Sequence, residues 1–173
     1  QEHGWTSIEL PGEIEEPLIP VLEIELSGPP EVDNTWGIDP AVPTELLVDF
    51  AKVKGAKKAK KGWMEKFGEW KHAVRAFEWE ADGRAGWEVD VLEPGYYQVD
   101  LTYAGEGRLV WKVGIEGGQQ IQNQQNASHN YQKFPIGWIH FPNPGRYTVT
   151  VSCIEGDLEK ASLKSIHLSK VAL

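Results

Sequence analysis

The sequence predicts an all-β fold, an antiparallel β-sandwich of the jelly-roll type. Three observations predict it. First, long stretches alternate apolar and polar residues, most clearly Trp87 to Val91, Tyr97 to Tyr103 and Tyr147 to Cys153. Successive strand side chains point to opposite faces, so each stretch has one buried and one wet face. Second, turn residues recur between these stretches: Glu93-Pro94-Gly95, Gly117-Gly118 and Pro142-Asn143-Pro144-Gly145. Proline presets the φ of a turn and glycine accepts a positive one. Third, strands do not alternate with helical patterns, which argues against a parallel α/β sheet.

The length of 173 residues fits one such domain with a short N-terminal appendage. The formal net charge of −9 argues against nucleic acid as the main ligand. No run of eighteen apolar residues is present, so no helical membrane span is expected. The eight tryptophans are many for this length, and each is expected in the core or on a contact surface. The one cysteine, Cys153, falls on an inward strand position and reads as a buried small hydrophobe.

Residues 1–20 carry three prolines among five glutamates and read as an extended linker. This start lacks the parts of a signal peptide and is expected to lie inside a longer polypeptide. The sandwich is expected over residues 21–173. Val21 to Leu26 alternates as a first strand, with Leu22, Ile24 and Leu26 inward. Residues 29–43 hold four prolines and read as a long loop whose Trp36 packs onto the domain. Thr44 to Val53 is a second strand. Lysines 52, 54, 57, 58, 60 and 61 read as a solvated loop rather than an anion site, since no arginine accompanies them.

Trp63, Phe67 and Trp70 have the spacing of one helix face and are expected to plug an end of the sandwich. His72 to Trp79 resumes a strand. Trp87 to Val91 and Tyr97 to Tyr103 then read as a central hairpin about Pro94-Gly95. Leu109 to Ile115 is a strand turned by Gly117-Gly118. Phe134 to Phe141, Tyr147 to Cys153 and Ser162 to Val171 complete about nine strands. The core is expected to contain Trp87, Val89, Val91, Tyr97, Val99, Leu101, Trp111, Val113, Val149 and Val151.

Catalytic chemistry is not legible. The chain has no Gly-x-Ser-x-Gly, P-loop or dinucleotide fingerprint. Its histidines are scattered, and His140 and His167 read as structural. No carboxylate pair stands out in so acidic a chain. No catalytic residue, metal ligand or cofactor is therefore assigned.

From Gly86 onward the chain resembles the galactose-binding-like jelly rolls of carbohydrate-binding module families six and thirty-five. The resemblance lies in Trp87-Glu88-Val89-Asp90-Val91, Glu93-Pro94-Gly95, Tyr97 to Tyr103, and Pro144-Gly145-Arg146-Tyr147-Thr148-Val149-Thr150-Val151. More narrowly, Trp63 to Trp70 and Trp111 through Trp138 resemble the C-terminal region of bacterial α-L-fucosidases of glycoside hydrolase family 29. That resemblance implies an upstream catalytic domain in the same polypeptide, an extracytoplasmic location and a neutral glycan as partner. Modules of this kind often hold a structural calcium. Lys164 stands near where its aspartate would fall, which argues against that ion here.

The run Gln119 to Gln132 is amide-rich and nearly uncharged. Amides donate and accept hydrogen bonds, so they can meet sugar hydroxyls of either polarity. A nearby ring would stack on a pyranose. Asn126, His129, Asn130, Tyr131 and Trp138 are the candidate carbohydrate-binding residues. The run reads equally as a hairpin arm with Ile121 inward and its amides solvated. Three functions stay open at this stage: a glycan-binding module, a docking domain that supports a glycosidase, and a self-standing enzyme.

Overall fold

A computed structural model describes residues 23–29, 34–60 and 74–172. The chain divides into two units, residues 1–33 and 34–173. In the first unit, residues 23–26 form no strand, and Ile24 and Leu26 are more than half exposed. The described part of the expected first strand, residues 23–26, is therefore not a strand. Leu22 and the Trp63, Phe67 and Trp70 stripe lie outside the described residues.

The second unit is an antiparallel β-sandwich, as the alternation predicted. Its strands are β1 (Trp36–Ile38), β2 (Thr44–Leu47), β3 (Lys52–Lys54), β4 (Lys57–Lys60), β5 (Val74–Phe77) and β6 (Arg84–Val91). They continue with β7 (Gly95–Ala104), β8 (Arg108–Ile115), β9 (Gln120–Asn126), β10 (Gln132–Phe141), β11 (Gly145–Glu155) and β12 (Ser162–Lys170). Sheet 1 runs β1-β6-β11-β8-β9, with β3 sharing the β1 edge of β6. Sheet 2 runs β10-β7-β12-β5-β4, with β2 sharing the β5 edge of β12. Pairing is antiparallel except between β1 and β6.

The expected central hairpin is not one. β6 belongs to sheet 1 and β7 to sheet 2, so the Glu93-Pro94-Gly95 turn carries the chain across the sandwich. The two strands face each other through the core instead of sharing hydrogen bonds. Turn residues and alternation specify a reversal and an inward face. They do not say whether the neighbour lies beside the strand or opposite it. The same crossing happens from β7 to β8, β9 to β10, β10 to β11 and β11 to β12. Gly117-Gly118 does close a paired hairpin, between β8 and β9.

Residues 44–53 also differ from expectation. A 3₁₀ turn at Val48–Phe50 splits the stretch, sending β2 to sheet 2 and β3 to sheet 1. Within the expected loop, Trp36–Ile38 forms a strand, and the Trp36 ring packs 4.8 Å from Phe50. The lysine stretch contains β4, paired only to β5 among the described residues. Lysines on an edge strand discourage further pairing, and Lys58 Nζ donates to Asp49 O and Ala51 O.

All ten expected core residues are at most 2% exposed. Trp87 anchors the sheets to the turn between β2 and β3, since its Nε1–H donates to Leu47 O at 2.8 Å. Tyr97 donates its hydroxyl to Glu93 O at 2.8 Å and fixes the crossing turn. Trp111 meets Trp79 edge to face at 5.5 Å and Tyr103 at 5.0 Å. Cys153 is fully buried, and burial pushes its thiol up to about 12, as expected for a packing residue and not a nucleophile.

Candidate functional site

The amide-rich run folds as strand β9 followed by a short loop. Its side chains alternate: residues 121, 123 and 125 are half-buried, and 120, 122, 124 and 126 are exposed. Ile121 packs against the core. The inward amides are not merely solvated. Asn123 Nδ2 donates to Pro135 O at 3.0 Å, and Gln125 Nε2 donates to the same carbonyl. Just before the strand, Gln119 Oε1 accepts from the His140 backbone N–H at 2.7 Å, while its Nε2 reaches Trp138 O at 3.4 Å. β9 and β10 are edge strands of different sheets. The amides therefore clasp one edge to the other, supplying hydrogen bonds that no ladder provides there. This half of the run serves the fold.

The clasp sets β10 with Trp138 on the outer face of sheet 2. Ile139 and Phe141 turn inward and are fully buried, so Trp138 and His140 turn outward. Trp138 is 50% exposed, a large apolar area to leave in water. Its Nε1–H donates to Gln98 Oε1 at 2.7 Å, directly across the β10–β7 ladder. That bond ties the ring toward β7. Gln98 is held in turn, since its Nε2 donates to Asp100 Oδ1 at 2.9 Å. The Tyr96 and His140 rings lie 4.6 Å apart beside it, and Tyr96 is also exposed.

A polar strip continues along β7 and β12 on the same face. Asp100 lies 3.9 Å from Lys133 Nζ. His167 pairs across from Asp100; its Nε2 lies 2.9 Å from Thr102 Oγ1 and 3.3 Å from Ser165 Oγ. Glu45 stands 3.5 Å from the same nitrogen. Burial holds the His167 imidazole below its usual value, and Lys133 and Lys164 add to this against Glu45 and Asp100.

At the loop end of that face is a pocket of about 330 Å³, lined among others by Arg75, Phe77, His129, Tyr131 and Ser162. Tyr131 is fixed there by a 2.6 Å hydrogen bond between its hydroxyl and Ser162 Oγ. The Arg75 guanidinium lies 4.4 Å over the Phe77 ring, and Arg75 Nε is buried without a hydrogen-bond partner among the described residues. Glu106 accepts from Lys160 Nζ and lies 3.6 Å from His129 Nδ1. Neighbouring Glu78 has φ of 50°, an uncommon conformation for a residue with a side chain.

The five candidate residues therefore separate. His129 and Tyr131 line the loop-end pocket. Trp138 stands roughly 20 Å further along β10, at ~3.3 Å of rise per strand residue. Asn130 is exposed, with its backbone N–H bonded to Ser128 Oγ at 3.2 Å. Asn126 ends β9 on the outward side, exposed. Sequence reasoning missed Gln98, Tyr96 and His140 around Trp138, and Arg75 and Phe77 beside Tyr131. Strand register brings Gln98 and Tyr96 to this face of β10, while His140 stands two residues from Trp138 on the same strand. Among the described residues no three His, Cys, Asp or Glu side chains converge as metal ligands.

Neither a family model nor a curated protein sequence matches the chain. Solved structures do match in fold. A Bacillus thuringiensis Cry1Da tryptic core is 12% identical with a TM-score of 0.64, over 80% of this chain and 25% of that one. A family 35 carbohydrate-binding module from Clostridium thermocellum is 14% identical with a TM-score of 0.56, over 76% of this chain and all of the module. A Podospora anserina β-(1,4)-mannanase carrying a family 35 module is 15% identical with a TM-score of 0.58, over 76% of this chain. The chain spans 28% of that enzyme. The second unit of the chain thus has the β-sandwich fold of the carbohydrate-binding modules of families 6 and 35, a fold it also shares with part of an insecticidal crystal protein.

Proposed function

We propose that the protein is a non-catalytic carbohydrate-binding module that takes a neutral glycan on the outer face of sheet 2. Trp138 carries this reading. Its indole is half-exposed just after the bulge at Pro135–Gly137 in β10, and its N–H is already bonded to Gln98. A ring fixed in this way loses little freedom on binding and leaves a face for the C–H side of a pyranose. Gln98, Asp100, His167 and Ser169 continue the strip with groups that can meet sugar hydroxyls. The loop-end pocket around Tyr131 offers a second contact on the same face. The fold itself does not choose, since an insecticidal crystal protein and glycan-binding modules share it; the Trp138 platform is what supports the glycan reading.

The chain would then be an accessory part of a glycoside hydrolase acting outside the cytoplasm. An α-L-fucosidase is the enzyme that the stretch from Trp111 through Trp138 points to. A docking role has one observation in its favour: Val42 and Phe50 are more than half exposed, and Phe50 packs on Trp36. Titration calorimetry against fucosylated, galactosylated, mannan- and laminarin-type oligosaccharides tests the proposal. The expected dissociation constant is roughly 0.1 to a few mM. Trp138→Ala should abolish the heat, and Tyr131→Ala should reduce it. No heat with any of these glycans, or heat unaffected by Trp138→Ala, overturns the reading and favours docking.

A further inference from the structure

The outward half of the amide run has no part in the clasp. Gln120, Gln122, Gln124 and Asn126 are exposed, and their side-chain amides have no hydrogen-bond partner among the described residues. Their backbone is open as well. β9 ends sheet 1 and pairs with β8 alone among the described residues. In an antiparallel strand, alternate residues turn both backbone groups to the neighbour, and the residues between turn theirs away. Gln119 O accepts from the Ile115 N–H, and the Ala127 N–H donates to Gly107 O, so the odd-numbered residues face β8. The Gln124 N–H points the other way, onto Asn123 Oδ1 at 2.7 Å. The even-numbered residues therefore carry both an open backbone edge and the exposed amides.

Natural sheets protect such an edge with charge, proline, a bulge or a covering element. The other edges of this sandwich show two of these. β4 carries Lys57, Lys58 and Lys60. The edge of β10 is covered, because Pro135 O, Trp138 O and the His140 N–H are the groups that the clasp takes up. β9 has neither, and its ladder with β8 runs without a bulge. Residues 117–132 hold no Asp, Glu, Lys or Arg in a chain that is 25% charged, so nothing there repels a second strand. The order of β9 also reads nearly the same in both directions. Turned end for end about Asn123, it sets Gln120 opposite Asn126 and Gln122 opposite Gln124. Every outward residue then meets a Gln or an Asn. Amides pair as donor and acceptor at once, and rows of them support strand stacking. In that register the facing even-numbered residues can also exchange both backbone hydrogen bonds.

We infer that β9 is a self-association edge, taken by β9 of a second copy of this chain in antiparallel register about Asn123. The contact is isologous, with each strand giving and receiving the same bonds, so it closes at two copies. It joins the two copies of sheet 1 into one. The Gln124 N–H exchanges Asn123 Oδ1 for a backbone carbonyl. One strand edge buries much less than a standard interface, so the dimer is weak, with a dissociation constant of roughly 0.1 mM. The Trp138 platform takes no part, and the inference stands apart from the glycan reading.

Sedimentation equilibrium of the full 173-residue chain tests this. Between about 10 µM and about 0.5 mM the average mass should rise from monomer toward dimer and no further. Gln122→Pro removes an open-edge N–H without touching the β8 ladder, and should weaken association at least about tenfold. Gln122→Lys with Gln124→Lys sets like charges opposite each other and should leave a monomer. Gln122→Glu with Gln124→Glu should do the same. An equal mixture of the lysine and glutamate chains should form the dimer again, which only this register allows. Circular dichroism melts at about 10 µM, where the chain is monomeric, should match the parent for both charged chains. Should Gln122→Pro melt early, the charged chains alone decide. No association over the whole range overturns the inference. So does association that survives the lysine chain, a mixture that stays monomeric, or growth beyond two copies.

Discussion

Gln119, Asn123 and Gln125 tie the edge of β10 to β9, and removing them together should weaken the sandwich by a calculable amount. Replacing all three with alanine deletes four hydrogen bonds to β10, two onto Pro135 O and two with the backbone of Trp138 and His140, besides the local one that Asn123 Oδ1 accepts from the Gln124 N–H. A net intramolecular hydrogen bond contributes about 0.5–1.5 kcal/mol. One of the four is long, at 3.4 Å, and the freed groups can reach water. The expected sum is therefore about 2–4 kcal/mol, in the lower part of that range. At about 2–4 °C per kcal/mol for a domain of this size, Tm should fall by roughly 5–15 °C. The control is built into the same strand. Gln120, Gln122 and Gln124 face outward, and their triple alanine variant should stay within about 0.5 kcal/mol of the parent. Thermal and denaturant unfolding followed by circular dichroism would compare the three chains. An outward triple that costs as much as the clasp triple would refute the clasp, because β-propensity and composition would then explain both.

Two further outcomes follow from buried polar groups. Burial lowers the folded value of His167, so the unfolded chain takes up the proton first as pH falls. This contribution to stability should be complete above the unfolded value of about 6.5 and decline below it, toward the folded value. Unfolding midpoints from about pH 8 to about pH 5 should show that decline in the parent and a shallower one in His167→Gln; equal slopes would exclude the residue as its source. The Tyr103 hydroxyl is buried with no partner among the described residues, and burial, with Cys153, pushes it up to about 12. Tyr103→Phe should therefore be neutral or stabilising by up to about 1 kcal/mol, and a loss larger than that by equilibrium unfolding would mean the hydroxyl is bonded.

Alternation alone identified the strands and their buried faces, from Trp87 and Val89 to Val149 and Val151. That was sufficient because side-chain direction along a strand is a local property with period two. It also placed Cys153 inside. Pairing is not local. Only the tertiary structure decided that Pro94-Gly95 crosses between sheets, that residues 44–53 divide between both, and that the glutamine run clasps two edges. The candidate site divides along the same line. Tyr131 and Trp138 were legible as rings beside amides, since residue type carries that chemistry. Gln98 beside the Trp138 indole, and Phe77 beside the Ser162 that holds Tyr131, were not. Each joins residues far apart in sequence, Trp138 and Gln98 by 40 positions, brought together by strand register. Register comes from how the two sheets fill one core, and no window of the sequence contains that.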